Sequence, residues 1–291
     1  FVIFFSFLPL IKNEWNQLYS ANFLEACLVF LTVLLISFFH SIGLNNLVYE
    51  KNIIKKDNLV VGAVYILLCS PFYIQVTEYL ISFCLLFFIN YLFSSYQKHH
   101  PLSQFFNASL IITLISFYYE NMLPLLALIL ITGINYENIT WQSFMCIIIG
   151  ILCPFCFYLS YCYLANINYP IITFEHFQII QAPDFIKWPV FKLCWIGVVL
   201  LTTLFALYEL KNWLYKKSIR SRKTFVIILF FLIITIIIAL FSEYKSFYYC
   251  LTPLSIIIGN YFTYTKRKVF ANLLFLLFVF SSISYRCLII F

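Results

Sequence analysis

An unbroken succession of apolar runs, parted by short polar loops, constrains this chain more than any other feature. The runs cover 1–11, 22–43, 59–74, 79–96, 108–118, 121–134, 143–165, 189–210, 224–242, 247–264 and 269–288. They are continuously apolar and do not alternate at period two, which excludes an outer-membrane barrel. In lipid every backbone amide must be paired within its own segment, so helices are the economical solution. Composition points the same way. The chain is 64% hydrophobic and 10% charged, where a soluble domain carries about 25% charged residues. The expected fold is all-α: a polytopic transmembrane helical bundle of about eleven helices, short paired helices included, forming a single integral membrane domain over 1–291. Run 1–11 falls short of the roughly 20 residues that span a ~30 Å hydrocarbon core. It also opens on Phe1, not Met, so the first span is expected to be truncated.

Charge sets the expected sidedness. Of 18 Lys and Arg residues, 13 fall in loops 44–58, 97–107, 211–223 and 265–268. Counting crossings puts all four loops on one side, the cytoplasmic side by the positive-inside rule. Segment 108–134 decides that parity. A single helix would bury Glu120 near mid-bilayer, at about 2.5–3.5 kcal/mol on insertion scales, and would throw loop 211–223 to the other face. Two short helices turning at Tyr119-Glu120-Asn121 avoid both problems. The net charge of +7 is then a cytoplasmic surplus suited to anionic lipid. Short juxtamembrane basic loops without a recognition motif do not read as nucleic-acid binding.

The outer face carries the candidate chemistry. Six of the 11 acidic residues fall there: Glu14, Glu78, Glu120, Glu175, Asp184 and Glu243. A carboxylate at the membrane surface can serve as a general base. Glu14 leads the candidates, supported by Glu78 and Glu120, although a tight turn needs a polar residue in any case. Lys187, Lys192, Lys245 and Arg286 offer cations for a phosphate, or snorkel to the interface. The four His residues (His40, His99, His100, His176) show no metal-ligand spacing, so no metal is assigned and the cofactor is left open. The ten Cys all lie in apolar runs and read as small hydrophobes. Only six Gly are present, so glycine-mediated helix contacts are expected to be sparse. Asn138-Ile139-Thr140 matches a glycosylation sequon on the wrong side. Phosphate loops, dinucleotide fingerprints and nucleophile elbows are missing.

Several stretches carry a resemblance. Phe106-Asn107-Ala108-Ser109-Leu110 through Phe117-Tyr118-Tyr119, Leu123-Pro124-Leu125-Leu126, Ile149-Gly150-Ile151-Leu152-Cys153-Pro154 and Thr252-Pro253-Leu254-Ser255-Ile256 with Asn260-Tyr261-Phe262 look like a Bacteroidota family of inner-membrane proteins, a domain of unknown function. That resemblance implies a bacterial inner (cytoplasmic) membrane, multi-pass location and no mechanism. More distantly, the helix pair 108–134, the polar loop 135–142 and Gly150 with Pro154 resemble polytopic GT-C glycosyltransferases. That likeness implies a polyprenyl-phosphate-linked sugar as donor, Glu14 as base, and Lys187 and Lys245 on the departing phosphate. The first outer loop is short, and the paired aspartates of such enzymes are missing. The rival readings are a non-catalytic scaffold or subunit of an envelope complex, and a transporter, which would need inverted repeats and a polar midplane site.

Overall fold

The computed structural model describes residues 23–54, 59–71, 76–166, 190–215, 217–241 and 244–290. Among these residues the chain is all-helical. The α-helices are α1 (Phe23–Glu50), α2 (Val60–Cys69), α3 (Val76–Ser94), α4 (Leu102–Ser116), α5 (Leu126–Tyr136), α6 (Trp141–Leu164), α7 (Val190–Leu214), α8 (Ile219–Leu240), α9 (Leu251–Tyr264) and α10 (Lys268–Ile290). Single 3₁₀ segments, Glu120–Leu125 and Tyr244–Cys250, lead into α5 and α9. The described α-helices number ten, not eleven, because run 1–11 lies outside the described residues. Six stretches are long and apolar enough to cross a membrane: Leu31–Glu50, Val76–Ser94, Trp141–Leu164, Val190–Leu214, Ile219–Leu240 and Lys268–Tyr285. They define a multi-pass membrane protein.

Helix ends depart from the apolar runs in both directions. α1 continues to Glu50, beyond the apolar boundary at 43, because a buried stripe of Val33, Ser37, His40, Leu44, Leu47 and Val48 keeps the helical period. It stops at Asn52, whose left-handed φ of 55° lets the amides of Asn52 and Ile53 close on Tyr49 and Val48, a Schellman closure. α5 ends in the same way at Glu137, with φ 59°. α6 begins where the Thr140 side chain accepts from the Ser143 amide at 3.2 Å, an N-cap. The break between α4 and α5 falls at Phe117–Tyr119, so segment 108–134 forms two helices.

The chain divides into two compact units. The first comprises 1–83, 182–221 and 248–291. In it the ten-residue α2 packs on α1 and most closely on α9, and α10 packs on α7. A Cβ at Gly259 would lie 2.7 Å from Val61 Cγ2, and one at Gly62 would lie 2.9 Å from the Ser41 carbonyl oxygen. Glycines are few, and in this unit Gly62 and Gly259 sit where helices touch. Basic loops share one end of this unit. Ser221 Oγ donates to the Ile53 carbonyl at 3.2 Å, and the Trp213 and Tyr264 rings meet at 5.1 Å. The other end carries the Tyr79–Tyr248 and Trp195–Tyr285 ring pairs.

The second unit comprises 84–181 and 222–247. Its main packing is α4 on α6, where a Cβ at Gly150 would collide with Ser109 Oγ and the Phe106 carbonyl. Residues 135–138 clasp its polar end. Asn135 Nδ2 donates to the Lys223 carbonyl at 2.7 Å, and Tyr136 OH pairs with Thr224 Oγ1 at 3.1 Å. Lys223 Nζ lies 2.7 Å from Glu137 Oε1, and Asn138 Nδ2 donates to the Ser95 carbonyl at 2.8 Å. Asn138, read as a sequon residue, is buried and holds the turn.

Candidate functional site

The first unit encloses a polar cluster within its apolar helices. α2 supplies Tyr65 and Cys69, four residues apart and so on one helical face. α3 supplies Glu78 and Ser82 by the same spacing, with Tyr79 beside them. The 3₁₀ segment before α9 supplies Tyr248. Tyr65 OH lies 3.0 Å from Tyr248 OH and 3.3 Å from Ser82 Oγ, all fully buried. Cys69, buried, stands one helical turn from Tyr65 on the same face. The hydroxyls of three elements thus form one chain, in a setting where each would be costly to leave unpaired.

His40 adds the feature that most calls for an occupant. It stands midway along the Leu31–Glu50 stretch, 0% exposed, stacked on Tyr65 with ring centroids 4.2 Å apart and planes 1° from parallel. Neither ring nitrogen has a hydrogen-bond partner among the described residues. Thr252, in the first turn of α9, has a buried Oγ1 in the same state. Buried polar atoms are paired in the great majority of native structures, and the exceptions cluster where water or a ligand completes them. Ionisable groups inside spans are rare and mark functional paths.

Of the carboxylates singled out from sequence, Glu78 is 1% exposed in the first turn of α3, and its Oε2 accepts from Thr77 Oγ1 at 3.2 Å. Glu120 belongs to the second unit, where it opens a 3₁₀ segment half-buried, with Oε2 enclosed and unpaired among the described residues. Glu14 and Lys187 lie outside the described residues. The backbone at Lys245 is in the 3₁₀ segment, and its side chain is outside what is described.

His40, Tyr65, Ser82 and Tyr248 were missed as site residues because each lies within an apolar run or at its edge. A signal was present. Ser37, His40 and Ser41 recur at helical spacing through an otherwise apolar stretch, and Glu78 and Ser82 repeat the pattern in α3. Among the described residues no group of three or more His, Cys, Asp or Glu is placed to hold a metal ion.

At the polar end of the second unit the electrostatics of Glu137 are perturbed. The Lys223 ammonium, hydrogen-bonded to it, holds its carboxyl below the ordinary carboxylate value. This pair is a clasp at the polar end of its unit.

Comparison with known proteins places the whole chain, residues 1–291, in a family of unknown function, DUF6427, and the chain belongs to that family. No curated protein and no solved structure matches it.

Proposed function

We propose that this multi-pass membrane protein transfers a group from a polyprenyl-phosphate-linked sugar to a hydroxyl acceptor, at the enclosed polar cluster of its first unit. The observation that supports the reading is Glu78, buried in the first turn of an apolar, span-length helix and one turn from the Ser82–Tyr65–Tyr248 hydroxyl chain. In this reading the Glu78 carboxylate takes the acceptor's hydroxyl proton. The acceptor oxygen bonds the sugar's anomeric carbon as the bond to phosphate breaks, and polyprenyl phosphate leaves with the electron pair. Phenol donors fixed before the reaction stabilise the charge that grows on the leaving phosphate. The nitrogens of His40 hydrogen-bond the acceptor. Lys187 is proposed to hold the phosphate, with Glu14 as a further carboxylate at the membrane surface.

Reconstitution in proteoliposomes with a polyprenyl-phosphate sugar and a soluble acceptor tests this. Removal of a general base is expected to cost about 10²–10⁴ in kcat, so Glu78→Gln loses transfer by that factor and still binds donor. Full transfer by Glu78→Gln overturns the assignment. Its tolerance together with copurification of a fixed protein partner would instead favour a scaffold in an envelope complex.

A further inference from the structure

The polar cluster lies among the helices of the first unit, and the end of that unit where its basic loops meet carries a surplus of positive charge. Among the described residues there, Lys51, Lys211, Lys217, Arg220, Lys266, Arg267 and Lys268 stand against two carboxylates, Glu50 and Glu209. Three loops far apart in sequence are fastened together at this end. Ser221 holds the Ile53 carbonyl. The Lys217 ammonium sits 4.7 Å from the centre of the Trp213 ring and 4.1 Å from that of Tyr264, which locks the α7–α8 loop onto the end of α9. Lys217 is therefore engaged, while Lys211, Lys266, Arg267 and Lys268 are exposed. Helix stability does not account for the run 266–268. It sits at the start of α10, whose first turn contains no acidic residue, and cations there oppose the helix dipole. Clustered like charges repel unless something anionic lies over them.

We propose that this end of the first unit binds the headgroups of acidic phospholipids. The cations border helices that are apolar enough to enter hydrocarbon, and the exposed Tyr49 and Tyr215 and the Trp213–Tyr264 pair supply the aromatic belt of a membrane interface. A phosphodiester lying at that level meets exposed ammonium and guanidinium groups directly, and juxtamembrane basic clusters recruit anionic lipid. Acidic protein segments and free phosphate share the charge, but they have no reason to select cations ranged along span ends. The inference stands apart from the transfer reading, since it involves neither Glu78 nor His40.

The chain, reconstituted in nanodiscs of phosphatidylcholine with and without phosphatidylglycerol, is extracted in mild detergent. The lipids it retains are identified by native mass spectrometry. Wild type is expected to retain phosphatidylglycerol over phosphatidylcholine by about tenfold or more. The triple variant Lys266→Gln, Arg267→Gln, Lys268→Gln loses that preference, and Lys266→Arg with Lys268→Arg keeps it. Where circular dichroism shows the triple variant unfolded, Arg267→Gln alone is read in the same way and is expected to lower the preference about threefold. The proposal is overturned if wild type retains both lipids equally, or if the folded glutamine variants keep the preference. Displacement of phosphatidylglycerol by millimolar inorganic phosphate would also overturn it, by revealing a free-phosphate site.

Discussion

His40 presents an imidazole whose two nitrogens find no partner among the described residues, stacked flat on Tyr65 inside an apolar unit. An unpaired buried polar group costs about 1–3 kcal/mol, while an apolar ring of similar shape removes that cost. His40→Phe is therefore expected to raise stability by about 1–3 kcal/mol, read as a higher Tm in detergent, and to abolish transfer under the proposed function. A gain in stability paired with lost activity is what a functional polar residue predicts; a loss of stability would show that the nitrogens are satisfied after all. Tyr65→Phe should do the opposite. It strips a hydroxyl from Ser82 and Tyr248 together and is expected to destabilise by about 1–3 kcal/mol. Of these residues the sequence singled out Glu78. A carboxylate beside a turn is visible in a one-dimensional reading, whereas the worth of a histidine or tyrosine within an apolar run depends on what packs against it.

At the level of elements, closeness of helices explains where glycine is required. Gly62, Gly150 and Gly259 lie against Ser41, Ser109 and Val61, while Gly197 in α7 has nothing within 4 Å of a Cβ position. Alanine at any of the first three is expected to destabilise by about 1–3 kcal/mol through overpacking. At Gly197 it should be neutral or stabilising by up to about 1 kcal/mol. Equal effects at all four positions would contradict the helix pairings described above. The clasp at 135–138 gives a pH dependence of definite sign. Glu137, 81% exposed, has its carboxyl held below the ordinary value by Lys223. Its contribution is present above the unfolded carboxylate pKa and is lost as pH falls through the lower, folded value. Protection of the Asn138 amide, which bonds the Gly133 carbonyl, measured against the intrinsic exchange rate at each pH, should fall on acidification in wild type, and less so in Glu137→Gln. The apolar runs located these helices but misplaced their ends, because α1 continues seven residues beyond the apolar boundary on a buried stripe, and it is closed by the left-handed backbone of Asn52, while α6 is opened by the Thr140 side chain.

For the molecule as a whole, the basic loops at one end of the first unit predict accessibility. In a background freed of native cysteines, cysteine at Asn52, Ser218 or Lys266 should react with an impermeant reagent from one face of the membrane, and cysteine at Val190 from the other. Labelling of Asn52 and Lys266 from opposite faces would overturn the arrangement of α1, α7 and α9. The amino-acid sequence by itself determined that the chain is helical, multi-pass and broken at Tyr119-Glu120, because hydropathy and the price of burying a charge act locally, residue by residue along the chain. Only the tertiary structure decided that Tyr65, Ser82 and Tyr248 form one hydroxyl chain beside His40. The two phenols are 183 residues apart, and nothing local to either records that α2 and the start of α9 meet.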